Sequence, residues 1–426
     1  MLTKISGGHV IDPGYINARM DIWIKDGSIF EVCEEGKGTL ESSSPDRIIN
    51  AAGKIVVPGL IDMHVHLREP GHEYKETIET GLKAAVAGGF TAVCCMPNTK
   101  PVNDNAQITS FILEKARQAG LAKVYPVAAI SLGLKGDSLA EYAELKTAGA
   151  IAVSDDGMPV SSGRLMRNAM EYASCFGLLT IAHCEDHELA CNGCMNEGSV
   201  STRLGLRGIP NISESIMVMR DIELSDLTGV PVHIAHVSAR ESVNAIREGK
   251  KRGIKVTAET APHYFTLTDE AVGNYDTNAK MNPPLRTETD RLAVIKGLED
   301  GTLDIIATDH APHSVLEKEL EFDKAANGIC GLETSLGLSM KLVHDGIIGM
   351  ESLVRLMSTR PAEILGKDNH LKPGNNADIA IIDPDAEWKV DSSKFQGKSK
   401  NTPFNGWDLK GRAVMTIVDG RIVFEL

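Results

Sequence analysis

The sequence contains no run of about 18 apolar residues, the length that a membrane-spanning helix needs. Residues 1–8 (MLTKISGG) lack the long apolar core of a signal peptide, so we expect a cytoplasmic protein. Basic stripes and charged tails are also missing, because the formal net charge is −14 and the charges are scattered along the chain. This pattern argues against nucleic acid as a partner bound through a basic surface, and no membrane partner is predicted.

Paired CxxC motifs are missing as well. Of the eight cysteines, only Cys191 and Cys194 have the CxxC spacing, and no thioredoxin-like βαβ pattern surrounds them. A redox or structural-zinc role is the alternative, but loop or helix-end sequence is the favoured interpretation. Other cysteines, such as Cys94 and Cys95, lie in apolar runs and are predicted to be free buried thiols.

Short β-branched runs that end in polar residues alternate with amphipathic stretches of helical period. With 426 residues and 42% apolar content, the chain can bury a large core. The pattern predicts a (β/α)8 TIM barrel, an α/β fold with its active site at the carboxyl ends of the strands. The eight predicted strands cover residues 55–66, 90–96, 123–130, 150–154, 178–183, 230–237, 254–259 and 303–309.

Both chain ends read differently, as short alternating strands separated by glycine turns. Residues 20–27 show this pattern, and residues 377–384 and 413–420 repeat it. Each run is too short to fold alone, so we predict one small β-sandwich domain built from both termini. The predicted division is 1–52 and 369–426 for the β-sandwich, and 53–368 for the catalytic barrel inserted between them.

The first predicted barrel strand carries two imidazoles, His64 and His66, two residues apart. Side chains at i and i+2 share one face of a strand. Two neutral nitrogen donors near a strand's carboxyl end are half of a site for a divalent metal. A hydrogen-bonded pair of core histidines is the alternative interpretation.

Further candidate ligands close three other apolar runs: His183, His236 and Asp309. Each histidine alone is more often a core residue than a ligand. Together at one barrel rim, these side chains suit two divalent ions, with zinc favoured by nitrogen-rich ligation. A bridging carboxylate would come from Asp155 or Asp156 at the end of strand four, and the other aspartate would cap a turn.

These residues resemble the metal-dependent amidohydrolase superfamily. Residues 62–71 (DMHVHLREPG) and 307–313 (ATDHAPH) look like the two signatures of dihydroorotases of the long bacterial type. The resemblance extends over nearly the whole chain, with supporting matches at residues 95–99 (CMPNT), 281–286 (MNPPLR) and 331–334 (GLET).

The resemblance implies which residues would hold each metal ion. His64, His66 and Asp309 would hold one Zn²⁺, His183 and His236 a second, and Asp156 would bridge them, with Asp155 as the second candidate. Many relatives use a carboxylated lysine on strand four. No lysine lies there in this chain, so we expect that CO₂ is not needed for metal assembly.

The family's substrate is an anionic cyclic amide, and Arg68 is placed to grip its carboxylate in a bidentate pair. An ion pair of Arg68 with Glu69 or Glu73 is the alternative. The resemblance adds further substrate-binding residues to this pocket: His66, Asn98, Asn282, His313, Asn327 and Gly328. The loop at residues 325–330 (AANGIC) departs from the family's usual Pro-Phe-Gly, which leaves the contribution of Asn327 and Gly328 open.

The implied reaction is the reversible cyclisation of N-carbamoyl-L-aspartate to (S)-dihydroorotate and water in pyrimidine (UMP) biosynthesis. A metal-bridged water would supply hydroxide, and Asp309 would act as general base and then acid. A homodimer is expected, and association with aspartate transcarbamoylase is left open. Two alternatives remain: another cyclic amidase, such as an allantoinase or dihydropyrimidinase, and a metal-free structural partner.

Overall fold

The computed structural model describes residues 1–426. Its strands, in chain order, are β1 (Leu2–Asp12), β2 (Ile16–Lys25), β3 (Ser28–Glu34), β4 (Arg47–Asn50), β5 (Ile55–Pro58), β6 (Leu60–Val65), β7 (Phe90–Cys95), β8 (Lys123–Ala128), β9 (Ala152–Val153), β10 (Leu179–Ala182), β11 (Met195–Asn196), β12 (Gly208–Ile209), β13 (Val232–Ile234), β14 (Val256–Thr260), β15 (Ile305–Ile306), β16 (Ile379–Lys389), β17 (Asp408–Val418) and β18 (Arg421–Glu425).

The α-helices are α1 (Ile78–Ala87), α2 (Ala106–Ala119), α3 (Tyr142–Ala148), α4 (Gly163–Cys175), α5 (His187–Ala190), α6 (Ser199–Leu204), α7 (Ile212–Thr228), α8 (Arg240–Lys251), α9 (Pro262–Thr266), α10 (Glu288–Glu299), α11 (Val315–Lys318), α12 (Leu332–His344), α13 (Met350–Val354) and α14 (Arg360–Ile364). Short 3₁₀ turns cover Leu132–Leu134, Asp269–Val272, Thr277–Ala279 and Ser392–Lys394, and Arg355–Thr359 is a π-helical turn. None of the helices is long and apolar enough to cross a lipid bilayer.

The central sheet is the predicted barrel. Eight parallel strands follow one another in the order β6-β7-β8-β9-β10-β13-β14-β15. A parallel bridge between Val65 and His310, with a 2.8 Å hydrogen bond from His66 N to His310 O, links the first strand to the end of the last and completes the ring. All eight predicted barrel strands are present, and most are shorter than the apolar runs that predicted them. The fold class is therefore confirmed.

Both ends of the chain form the second sheet, in the order β18-β17-β16-β5-β1-β2-β3, with β4 paired to β1. Ile5 and Ile22 from the N-terminal part share an apolar cluster of 14 buried residues with Ile379 and Ile417 from the C-terminal part. The two terminal segments therefore fold together against one core, as predicted for a small β domain built from both termini, and they do so as one eight-stranded sheet. The exact domain boundaries at residues 52 and 368 stay a prediction.

The prediction of one continuous strand over residues 55–66 is wrong. β5 pairs with β1 and β16 of the terminal sheet, and the barrel strand β6 begins only at Leu60. Gly59 lies between them, and only glycine fits there because a Cβ at residue 59 would lie 2.1 Å from Thr91 Oγ1. The apolar run over residues 55–66 therefore supplies one strand to each sheet, and its second strand leads to the first candidate ligands, His64 and His66.

The CxxC segment lies at a helix end and in the loop after it, which is the interpretation favoured in the sequence analysis. Cys191 caps the end of α5, and Cys194 precedes β11. All eight cysteines are free thiols, and five of them are buried.

Candidate metal centre and substrate cavity

The six predicted metal ligands meet at the carboxyl ends of five barrel strands. His64 belongs to β6, and the other five follow their strands by no more than three residues: His66, Asp156, His183, His236 and Asp309. His236 and Asp309 have positive φ angles of 33° and 49°, and nearby Arg68 has 63°. Such conformations are uncommon outside glycine and concentrate at functional sites.

The ligand atoms form two groups that share one carboxylate. His64, His66 and Asp156 make the first group, and Asp156, His183 and His236 make the second, with the ligand atoms of each group within 4.8 Å of one another. Asp156 Oδ1 lies 3.3 Å from His64 Nε2 and 3.4 Å from both His183 Nδ1 and His236 Nε2. Such a shared carboxylate is placed to bridge two ions.

Asp309 adds a second carboxylate beside the first group. Its Oδ1 lies 3.3 Å from His66 Nε2 and 3.7 Å from His64 Nε2. Burial favours the neutral carboxyl, but the hydrogen bond with His66 and the charges of the nearby histidines outweigh it and lower the pKa of Asp309. Asp309 is therefore ionised near neutral pH and can accept a proton.

The donor set fits a metal. His64 Nε2 and Asp156 Oδ1 are buried and have no hydrogen-bond partner in the protein. Buried polar atoms are normally satisfied, so two such atoms 3.3 Å apart mark a place where a cation belongs. Imidazole and carboxylate donors of this kind suit zinc and related divalent ions.

A carboxylate that the sequence analysis missed fixes one of these histidines. Glu259, in β14, lies 2.6 Å from His64 Nδ1 and also contacts His233 Nε2 at 3.1 Å. Burial disfavours its charge, but His64 and the hydrogen bond with His233 hold the pKa of Glu259 well below its usual range. The His64 Nδ1–H then donates to Glu259, which leaves Nε2 free for a metal. The one signal available in the sequence was an acidic residue at the end of the predicted barrel strand over residues 254–259.

The two candidate bridging aspartates lie in different surroundings. Asp155 turns away from the ligands and accepts hydrogen bonds from the main-chain N–H groups of Ile130 (2.7 Å) and Ser131 (3.0 Å). Asp155 therefore fastens the loop after β8, while Asp156 faces both ligand groups.

A polar cavity of about 260 Å³ opens beside the ligands. All of the predicted substrate-binding residues line it, together with five of the six candidate ligands. The lining residues are His66, Arg68, Asn98, Asp156, Gly157, His183, His236, Asn282, Asp309, Ala311, His313, Asn327 and Gly328.

Arg68 is 9% exposed and forms no ion pair, so the alternative pairing with Glu69 or Glu73 is wrong. Glu69 instead pairs with Lys115 at 3.1 Å. Arg68 Nε donates to Pro312 O at 3.1 Å, and Nη2 lies 3.1 Å from His313 Nε2.

His313 is a neutral imidazole. Burial, followed by the charges of Arg68, Lys75 and Lys318, lowers the pKa of His313 to about 2. Lys75 Nζ, at 3.3 Å, donates to Nδ1, so Nε2–H donates to Asn327 O at 2.7 Å. Because Nε2 carries the hydrogen, it does not accept one from Arg68. The terminal guanidinium nitrogens of Arg68 are therefore left without an acceptor, and a buried cation in this state calls for an anion.

Asn98 and Asn282 line the cavity, but their amides contact ligand-supporting groups. Asn98 Oδ1 lies 2.8 Å from His66 Nδ1, and Asn98 Nδ2 lies 3.4 Å from Asp156 Oδ2. Asn282 Nδ2 donates to Glu185 Oε2 at 3.1 Å, and Glu185 in turn faces His183 Nε2 at 3.6 Å. These amides connect the cavity wall to the metal ligands. Glu185, two residues after His183, is a further residue that the sequence analysis missed.

Comparisons with known proteins agree with this geometry. Residues 53–242 match the family described as dihydro-orotase-like. The dihydroorotase of Desulforapulum autotrophicum is 61% identical over 100% of this chain and 99% of its own length, and that of Geobacter metallireducens is 56% identical over 99% of each.

Solved structures show the same fold. The L-hydantoinase of Arthrobacter aurescens superposes with a TM-score of 0.87 at 26% identity, over 99% of this chain and 96% of that one. The dihydropyrimidinase of Brevibacillus agri superposes with a TM-score of 0.86 at 22% identity, over 100% and 95%. The full-length matches to curated relatives above 50% identity show that the chain belongs to the dihydroorotase family.

Proposed function

We propose that this chain is a dihydroorotase, which reversibly cyclises N-carbamoyl-L-aspartate to (S)-dihydroorotate and water in pyrimidine biosynthesis. One observation carries the choice of substrate: the terminal nitrogens of the buried Arg68 guanidinium lack an acceptor, and Arg68 lines the cavity that holds the metal ligands. A planar carboxylate satisfies such a group through two parallel hydrogen bonds. Neutral cyclic amides, such as allantoin or dihydrouracil, offer no carboxylate for it.

Two zinc ions per chain are proposed for the two ligand groups. His64, His66 and Asp309 would hold one, His183 and His236 the other, with Asp156 between them. When bound, such ions polarise a carbonyl and lower the pKa of water. The shared carboxylate supports this assignment, and no lysine is required.

Asp309 is the proposed proton carrier. In ring opening it accepts a proton from the attacking water as the new C–O bond forms, and it returns that proton to the ring nitrogen as the C–N bond breaks. Ring closure runs the same steps in reverse. Its lowered pKa supports the base role, and its place in the cavity wall gives it access to the substrate.

Arg68 would orient the substrate by its carboxylate, with His313, Asn98, Asn282, and the Asn327 and Gly328 backbone around the ring. A homodimer, a cytoplasmic location and association with aspartate transcarbamoylase are proposals supported by the family resemblance. Sedimentation of the purified chain, alone and mixed with that enzyme, tests the assembly.

The test of function is a substrate panel. L-dihydroorotate, allantoin and dihydrouracil are each offered to the purified protein, and metal content is measured on the same sample. Turnover of dihydroorotate alone, lost on chelation, is expected. Turnover of a neutral ring instead would move the chain to another cyclic amidase, and a metal-free protein that turns over none of the panel would favour the structural partner.

A further inference from the structure

Two buried lysines beside the substrate cavity have no carboxylate partner. Lys280 and Lys318 are each 5% exposed. Their ammonium groups make hydrogen bonds only to carbonyl oxygens. Lysine is rarely buried this deeply without an opposite charge, because desolvation of an ammonium group is unfavourable. Burial of these two ammonium groups is therefore energetically unfavourable, which points to a function for them.

The acceptors of both lysines belong chiefly to one loop, residues 323–328, which contains Asn327 and Gly328. They are the carbonyl oxygens of Asp323 (3.0 Å) and Ala325 (2.7 Å) for Lys280, and those of Ala326 (2.8 Å) and Gly328 (3.2 Å) for Lys318. Lys318 also contacts Lys280 O at 3.4 Å, which links the two anchors. Four of the six carbonyls of this loop therefore point at buried ammonium groups.

The anchored loop forms part of the cavity wall. Asn327 O accepts from His313 at 2.7 Å, and Gly328 N donates to Lys280 O at 2.9 Å. Gly328 has a φ of 127°, and a Cβ there would lie 2.4 Å from the Cβ of Ala311. With the carbonyls turned to the lysines, the Asn327 N–H is left without an acceptor in the protein and is available to a ligand.

We propose that Lys280 and Lys318 are positioning residues that hold this loop in its substrate-binding shape, and that their uncompensated charge favours a substrate bearing carboxylates. The choice of substrate rests on the proposed function. Lys318 acts as a cation at neutral pH, because burial and the charge of Lys280 lower its pKa only to about 8. Burial also lowers the pKa of Lys280, whose ammonium group donates to two carbonyl oxygens. Their charge adds to that of Arg68, and the unpaired positive potential at this side of the cavity complements an anion.

The same loop offers a matched control. Lys324 belongs to the loop itself, but its side chain is 64% exposed and pairs only with Glu321, at 3.4 Å. Lys318→Met and Lys324→Met remove the same charge from neighbouring positions, and only the first removes the carbonyl contacts. We expect Lys318→Met to raise KM for L-dihydroorotate about tenfold, as for the loss of hydrogen bonds to a charged group. kcat and metal content should stay near those of the parent protein.

Hydrogen–deuterium exchange separates positioning from charge. In Lys318→Met, amides of residues 323–328 should exchange faster, while those of residues 305–311 should not change. A KM and a loop exchange rate equal to those of Lys324→Met would overturn the proposal. A raised KM with unchanged exchange would overturn the positioning role and leave only an effect of charge.

Two further measurements complete the test of these variants. Lys280→Met removes the other anchor and replaces Lys318→Met if that variant does not fold. In the parent protein, L-dihydroorotate should slow exchange in residues 323–328, and an unchanged rate at saturating ligand would contradict a substrate-binding loop. If the parent protein does not turn over dihydroorotate, the proposed function fails, whereas the exchange comparison of the variants still decides whether the lysines hold the loop.

Discussion

Buried charged groups of the terminal sheet have partners within the protein, whereas two buried charged groups at the barrel rim lack them. In the terminal sheet, Asp12 is fully buried and accepts from His370 and from the Leu371 N–H, both at 2.7 Å. Asp21 is equally buried and pairs with Lys4 at 2.9 Å. At the rim, Asp156 Oδ1 makes no hydrogen bond within the protein, and the terminal nitrogens of the Arg68 guanidinium have no acceptor. The same chain can satisfy buried charge, so the exceptions at the rim point to ligands rather than to poor packing.

The largest effect on turnover is expected at Asp309, because it is the proposed proton carrier and lines the substrate cavity. Asp309→Asn keeps an oxygen donor for the metal but cannot accept a proton at neutral pH. We expect turnover of dihydroorotate to fall about 1,000-fold, within the range for lost general acid–base catalysis, while metal content is retained. Steady-state kinetics and metal analysis of one preparation check this, and near-normal activity would contradict the assignment.

A smaller effect, on metal affinity, is expected at Glu259, which orients His64 and does not line the substrate cavity. Glu259→Gln keeps the shape but removes the charge that orients His64. Metal affinity should fall about 30-fold, as is typical when a group behind a ligand is changed. Competition with a chromogenic chelator measures it. His233→Gln alters the other imidazole beside Glu259 and should keep the parent affinity, and an equal loss in both variants would mean that Glu259 acts only through packing.

The smallest effect on turnover is expected in the terminal sheet. Asp21→Asn breaks a buried ion pair and should lower the free energy of unfolding by about 3 kcal/mol, with kcat and KM unchanged in the folded protein. Urea unfolding and kinetics together test this separation. A change in kcat would show that the two regions are coupled.

The same carboxylate sets a pH dependence of stability. Burial opposes the charge of Asp21, but hydrogen bonds from Lys4, Gly36 and Gly7 outweigh it and lower its pKa. A carboxyl with a lowered folded pKa stabilises the fold above its unfolded pKa of about 4, and this contribution is lost as pH falls through the folded value. Unfolding midpoints of the parent protein and Asp21→Asn should therefore converge below pH 4, and a constant difference would refute the assignment.

The sequence predicted the parts of the site that depend on strand ends. The apolar runs located all eight barrel strands, and the residues after them, including His183 and Asp309, share one rim because parallel strands end on the same side. Arg68 was found in the same way, since it follows the first ligand strand. The pattern of apolar residues along the chain is enough to locate such residues, because strand ends can be predicted without knowing which distant segments are in contact.

Other features depend on contacts between distant segments and could not be predicted. The break at Gly59 separates a strand that pairs with the terminal sheet from one that pairs in the barrel, and no local pattern encodes these distant partners. Glu259 meets His64 across 195 residues of sequence. Nothing in the local sequence marks Lys280 and Lys318 as buried, and their burial and their contacts with the loop of residues 323–328 appear only in the folded protein.

The most direct test of the account is the kcat/KM for L-dihydroorotate in Arg68→Ala, with Arg117→Ala as control. Arg117 is an exposed arginine on α2 that pairs with Glu114. Loss of a bidentate pair to the substrate carboxylate predicts a fall of about 100-fold in kcat/KM, with unchanged metal content and no change in the control. A kcat/KM in Arg68→Ala equal to that of the control would contradict the central claim that the unpaired guanidinium is the substrate's carboxylate clamp.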